Sequence, residues 1–337
     1  MLNKIGLSFF VLLSCVESFS QERDTSYIEP YNKMITGRAF ISRRYTIFGI
    51  KGSEGYQTIQ YRPNTKLNLG VGATYRALTV NLSIGLPNNE DTKGDTRYLD
   101  LQTHLYGAKW AYDLFGQFYK GFFIYPLGYG ANQPNTFYQR PDLHVREIGA
   151  SVYHIFNNKR FSYRAAFIQS EWQKKSAGSF LLGGSIVIGN NNADSSFVPS
   201  VLSNYYPQKD IKRLRYIELG PGAGYAYTYV YKQHLYATSS LTLTSDLGFV
   251  KEMTETGKKH SVHISPNFLF RAGIGYNSSL WNVNFAWVTS RTSVKGQFKN
   301  GGYNVNTGNY RFTVARRFEP GRNVRKLLNV VDRVLDR

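Results

Sequence analysis

The sequence predicts an all-β protein: a single antiparallel transmembrane β-barrel of about 12–14 strands, followed by a short C-terminal amphipathic helix. Three observations carry this expectation. Apolar and polar residues alternate over long stretches, as strands with one apolar face require. After the N-terminus no run approaches the roughly 20 apolar residues of a membrane helix. Connections sort into short ones, such as 107–108 and 277–279, and long polar ones, such as 190–214, which is the barrel habit of turns on one side and loops on the other.

The elements follow in chain order. Lys4 and the apolar run Ile5 to Leu13, ending in Ser18-Phe19-Ser20, read as a secretory signal peptide over residues 1–20. Leu12-Leu13-Ser14-Cys15 is a rival reading, a lipoprotein box. Cys15 is the single cysteine, so cleavage after Ser20 leaves an exported chain without disulfides, and a closed hydrogen-bonded sheet is one other route to stability. Residues 21–36 form a lead-in, 37–318 the barrel and 319–337 a periplasmic amphipathic helix.

Within the barrel, Leu69, Val71, Ala73 and Tyr75 oppose Asn68, Gly70, Gly72 and Thr74; Val80, Leu82, Ile84 and Leu86 oppose Thr79, Asn81, Ser83 and Gly85. Val262–Tyr276 and Leu280–Ser290 repeat the pattern, and Tyr225, Tyr227, Tyr229 and Tyr231 form a one-sided ladder. The stretches Lys109–Tyr119, Gly121–Tyr129 and Phe161–Trp172 also read as strands. The apolar face meets either lipid or the core of a soluble sandwich. Strand length, polar faces rich in Gly, Ser, Thr and Asn, and aromatics near strand ends favour lipid. Tyr75, Trp110, Trp172, Tyr276 and Trp281 are the candidates for an interfacial girdle. The final strand ends on Phe318, placed as an aromatic assembly signal for the barrel-assembly machinery. Beyond it Val324, Leu327, Leu328, Val331, Val334 and Leu335 share one face of a basic helix.

The chain carries 41 Lys and Arg against 22 Asp and Glu, a formal charge of +19. Such a surplus suits nucleic acid, but export argues against that partner. Outer-membrane lipids, lipopolysaccharide phosphates or anionic solutes fit better.

Tyr61-Arg62-Pro63-Asn64, Asn68-Leu69-Gly70-Val71-Gly72, Tyr75-Arg76 and Tyr119-Lys120-Gly121-Phe122 resemble segments of an uncharacterised Bacteroidota family, catalogued as domain of unknown function number 4421. The resemblance covers about Asp24 to Phe318. It implies an outer-membrane-barrel-like protein of a Gram-negative bacterium and supplies no catalytic residues.

Chemistry is sparse. His260 and His263, beside Glu252 and Glu255, lie in or beside a loop, and no metal motif is present, so no metal or cofactor is expected. Gly220-Pro221-Gly222-Ala223-Gly224 precedes a tyrosine strand rather than a helix, so it reads as a kink and not as a phosphate loop. Arg76, Arg146, Arg164, Arg271 and Arg311 occupy polar-phase positions, and the cost of arginine on a lipid face, about 2–4 kcal/mol at midplane, places them inside as lumen-lining candidates. The first functional expectation is a non-enzymatic barrel, a narrow anion-preferring pore or a structural or binding barrel. A lipid-modifying enzyme using His104 or His154 with a Ser, and a soluble periplasmic lipocalin-like binder, are the alternatives.

Overall fold

Long alternating segments can satisfy their backbone groups only by pairing sideways, and among the described residues fifteen strands do so. The computed structural model describes residues 23–76, 78–87, 90–298, 301–325 and 328. The expected signal peptide lies outside them, and so does the expected C-terminal helix beyond its first turn, 322–325, and residue 328. The strands are β1 (Ile28–Pro30), β2 (Ile35–Lys51), β3 (Ile59–Arg62), β4 (Asn68–Tyr75), β5 (Leu78–Gly85), β6 (Arg97–Tyr106), β7 (Trp110–Tyr125) and β8 (Gln139–Ile155). They continue with β9 (Glu171–Gln173), β10 (Ala177–Asn192), β11 (Arg213–Tyr231), β12 (Leu235–Met253), β13 (Lys258–Asn277), β14 (Trp281–Val294) and β15 (Gly302–Phe318).

The sheet is a closed antiparallel barrel. Each strand from β10 to β15 pairs with the next, β10 pairs β8, β8 pairs β7, β7 pairs β3, β3 pairs β2, and β2 pairs β15 along its whole length from Ile35↔Phe318 to Lys51↔Gly302. Among the described residues ten strands close the ring, fewer than the 12–14 expected. The expected count has a physical counterpart nonetheless. The four-residue β3 bridges β2 and β7 at one end only. Toward the end that holds Ile35 and Phe318, the terminal end, β4 and β5 continue along β2 while β6 continues along β7. At that level twelve strands make up the wall, but β5 and β6 share no ladder among the described residues. The wall therefore carries a wedge-shaped seam. Arg44 of β2 crosses it near its apex, donating to the Asp100 carbonyl of β6, with the Asp100 carboxylate 3.7 Å away.

Three expected strands fare differently. Lys109–Tyr119 and Gly121–Tyr129 are largely one strand, β7, interrupted by a register shift between Lys120 and Phe122. Gly121 sits there at φ 89°. Phe161–Trp172 is not a wall strand. It belongs to a segment, 156–176, that leaves β8, makes one π-helical turn at Arg164–Ile168, and pairs Glu171–Gln173 with Ile28–Pro30 inside the terminal mouth. At the expected kink, Gly220–Gly224, β11 keeps its register with β10 through Gly184↔Pro221 and Gly183↔Gly222, while its ladder to β12 lapses at Gly220 and Pro221, between Leu219↔Leu247 and Gly222↔Thr244.

Polarity along the wall is the feature that positions everything else. Along most of β12, Leu241, Leu243, Leu247 and Phe249 point out and are exposed, while Thr238, Ser240, Thr242, Thr244 and Asp246 point in and are buried. The outer face of β5 goes furthest, with Leu82 70% and Ile84 71% exposed. Toward the loop end the arrangement inverts. Inside, Phe48, Ile50, Leu143, Val145, Leu214, Tyr216, Val250 and Tyr303 form one apolar cluster. Outside, Lys120, Arg146, Arg213 and Arg215 are exposed.

A Cβ on Gly121 would lie 2.2 Å from the Asp95 carbonyl oxygen, in a backbone region that side chains rarely adopt. Gly121→Ala should therefore destabilise the barrel by about 1–3 kcal/mol, read as a lower unfolding midpoint in urea. Gly257→Ala, where a Cβ would meet nothing nearer than Thr254 Oγ1 at 3.8 Å, is the control.

Candidate functional site

The interior divides into three layers. The loop-end layer is an apolar cap. The 193–212 loop drops Phe197, Val198, Tyr206 and Ile211 onto the wall residues Phe48, Tyr61, Tyr119 and Tyr303. Phe48 meets Phe197 edge-on at 5.3 Å and stacks on Tyr303 at 6.0 Å.

The terminal layer is a plug. Segment 156–176 is held from the wall mostly by donors to its carbonyl oxygens. Arg317 donates to Gln169 O at 2.8 Å and to Glu171 O at 3.2 Å, and Arg38 to Ile168 O at 3.0 Å. Asn284 donates to Ala166 O at 2.6 Å and Asn277 to Glu171 O at 3.1 Å. The Glu171 carboxylate is wholly enclosed and pairs with Arg23 at 3.1 Å and Arg164 at 3.3 Å, with Ser162 donating to it as well. Burial alone would raise this carboxyl, but Arg164, Arg23 and Ser162 together hold it below the usual carboxylate range.

Between cap and plug lies a polar layer with a cavity of about 80 Å³, lined by residues that include Gln102, His104, Asp113, Gln117, Tyr153, Asp246 and Asn267. Asp113 is its hub. The carboxylate accepts from Arg271, engages His104 Nδ1 at 2.6 Å and accepts from Ser151 Oγ at 3.1 Å. His104 and Ser151 thus share a carboxylate instead of forming a Ser–His pair, so Ser151 gives its proton to Asp113 and not to the imidazole. His154 lies outside this network, against Trp110 and Phe156.

The five expected lumen arginines do not form a ring. Arg271 is buried on the inner face and paired to Asp113. Arg311 points inward with its guanidinium 4.4 Å from the Phe40 ring centre. Arg164 is buried in the plug and not on a wall strand. Arg76 is at the turn after β4, at φ 52°, where its carbonyl accepts from Arg164. Arg146 does not line the lumen: it is exposed on the outside of β8, because Glu147 takes the inward position. Sequence reasoning missed Arg38, Arg44 and Arg317, which all point inward. Their signal was available in the alternation of β2 and β15, where each falls on the face opposite Ile41 or Phe318.

Of the girdle candidates, Tyr75, Trp110, Tyr276 and Trp281 stand on the outer face at the terminal ends of β4, β7, β13 and β14. Trp172 is on the plug strand at the same rim. Its Nε1 donates to Gln233 O at 2.7 Å, and its ring stacks on His234 at 5.1 Å. Phe318 closes β15, facing out opposite Ile35. Among the described residues no group of three His, Cys, Asp or Glu is placed to hold a metal ion.

An apolar exterior around a polar, plugged interior defines the class: a closed antiparallel β-barrel of inverted polarity. The chain belongs to the domain of unknown function family DUF4421, whose model matches residues 22–318. No curated protein matches. Among solved structures it is similar to the toluene transporter TodX of P. putida, at 5% identity and TM-score 0.28 over 85% of this chain and 90% of that one. It is likewise similar to a loop-deletion form of the outer membrane protein OmpT of Vibrio cholerae, at 12% identity and TM-score 0.27 over 82% and 99%. The attachment invasion locus protein Ail of Yersinia pestis aligns at 10% identity and TM-score 0.19 over 84% and 99%.

Removing one partner of the Arg271–Asp113 pair strands a buried charge, which costs about 3–5 kcal/mol. Arg271→Met should lower stability by that amount. The double variant Arg271→Met/Asp113→Leu should recover most of it, as read from urea unfolding midpoints.

Proposed function

We propose that this protein is an exported outer-membrane barrel that keeps its interior shut and binds solute within it, the 156–176 plug being the movable closure. The inverted polarity of the wall carries the membrane reading. Leu241, Leu243, Leu247 and Phe249 would be poor surface for a soluble binder, whose apolar residues point inward. The exposed Lys120, Arg146, Arg213 and Arg215, just beyond the apolar belt, suit lipopolysaccharide phosphates. Phe318, the outward-facing aromatic that ends β15, is the residue we assign to recognition by assembly machinery. The filled mouths support the second half of the reading: among the described residues the cap and the plug pack side chains across the two ends of the lumen, and the inward arginines are engaged by Asp113, Asp100, plug carbonyls or the Phe40 ring. The shared carboxylate favours the non-enzymatic reading over a lipid-modifying enzyme at His104, because Ser151 donates to Asp113 and not to the imidazole.

Wild-type protein in planar bilayers should be silent at pH 7, and replacing 158–174 by a glycine-serine linker should produce discrete openings. Large steady conductance from the wild type would reject the closed barrel. The plug should also respond to acid. The lowered Glu171 carboxyl stabilises the plug at any pH above about 4.5, and that contribution is lost as pH falls through its depressed value. Openings should therefore appear in the wild type only well below pH 4.5, and Glu171→Gln should show them at pH 7. For the membrane itself, Leu243→Arg should cost about 2–4 kcal/mol in lipid vesicles, while Arg215→Leu should cost little.

A further inference from the structure

The cavity wall formed by β7, β12 and β13 carries buried oxygen acceptors without donors, and β11 adds one more behind it. Asp246 is wholly buried and lines the cavity. Its Oδ2 accepts from Asn267 at 2.7 Å, and its Oδ1 has no partner. Glu218, also wholly buried, meets His263 through Oε1 at 3.0 Å and leaves Oε2 unpartnered. Register makes the two carboxylates diagonal neighbours, since Glu218 pairs with Gly248, two residues from Asp246. Gln117, 1% exposed, lines the same cavity with Oε1 unpartnered. The hydroxyls of Thr244 and Ser265 on the same wall are unpartnered too. A buried carboxylate oxygen without a donor costs far more than a neutral one. Glycine makes the room: a Cβ on Gly220 would lie 2.6 Å from Asp246 Oδ1, and one on Gly248 2.5 Å from Glu218 Oε1. Of the nearby cations, Arg271 is engaged by Asp113 and Lys295 by the Ile264 carbonyl at 2.8 Å, while Arg291 reaches the cavity from the face of β14 that carries Phe285 and Trp287.

We propose that this cavity is a binding site for a small organic cation, a primary ammonium, held by Asp246 with Gln117 and Thr244 as neutral acceptors, Glu218 adding its charge from behind the wall. An ammonium offers three donors to three acceptors. At about 80 Å³ the cavity has room for one short amine, or for roughly five waters at about 15 Å³ each. The inference needs only a closed interior and not a working gate.

The test is refolding in detergent with methylammonium chloride present, so that access does not depend on the plug. Equal concentrations of sodium chloride and of methanol are the controls. Methylammonium should raise the unfolding midpoint by about 2 °C or more, saturably, and methanol should not. Asp246→Asn should weaken the apparent affinity roughly tenfold or more. Gln117→Leu, which removes no charge, serves if the first variant fails to fold, and should weaken it less. No methylammonium shift beyond sodium chloride would overturn the site, leaving a water-filled cavity. An equal shift from methanol, or an unchanged affinity in a folded Asp246→Asn, would overturn the cation.

Discussion

The structure depends on a crossover of polarity along each long strand. In β8, Val145 points in and Arg146 out; one step further, Glu147 points in and Ile148 out. In β11, Arg215 is outside and Tyr216 inside, then Ile217 is outside and Glu218 inside. In β12 the change falls between Val250 and Asp246. The strands are antiparallel neighbours in register, so the crossover lies at a common level around much of the wall. Beyond it the barrel packs like a water-soluble protein, with an apolar centre. Below it the barrel is apolar outside and hydrogen-bonded inside. Cap, cavity and plug each take their chemistry from the side of that level on which they lie.

The closed ladder is the companion constraint. In hydrocarbon an unpaired strand edge costs several kcal/mol per polar group, and β2–β15 pairing removes the edge where the chain ends meet. The seam between β5 and β6 is the exception. It arises because β3 is too short to run the height of the wall, so β4 and β6 diverge from its two flanks. The Arg44 contact with Asp100 lies where that divergence starts. On the exposed side, every residue of β5 from Val80 to Gly85 is solvent-accessible on both faces, as an unpartnered edge strand would be.

Much of this was legible in the residues, and the failures have physical causes. Alternation located β4 and β5 closely, because one face of each meets a uniform apolar medium. The same rule misplaced Arg146. Its premise, that arginine outside is expensive, holds only below the crossover, and a single sequence does not mark that level. Phe161–Trp172 was misread because a plug touches protein on every side. Phe161, Ser162, Tyr163 and Arg164 are buried in succession, so phase carries no information there. The shared carboxylate of Asp113 was invisible for another reason. It joins β6, β7, β8 and β13, from His104 to Arg271, and only the three-dimensional ring brings those strands to one point.

The two closures differ in what opening them would expose. The cap buries Phe197, Tyr206 and their wall partners in one continuous apolar cluster, so lifting it would bring large apolar surface into water. The plug also buries Phe161 and Tyr163, against Tyr106 and Tyr153, but its contacts with β14, β15 and β2 are guanidinium and amide donors on backbone carbonyls. Each of those bonds exchanges for bonds to water on release, at a net cost of only about 0.5–1.5 kcal/mol, or up to about 3 kcal/mol where the donor is charged. The Glu171 carboxylate regains hydration at the same time, which offsets part of the loss of Arg23, while Arg164 leaves with the plug. A seal made of exchangeable hydrogen bonds is the one that can be both specific when shut and reversible, and on that ground we propose the terminal mouth, and not the cap, as the movable closure.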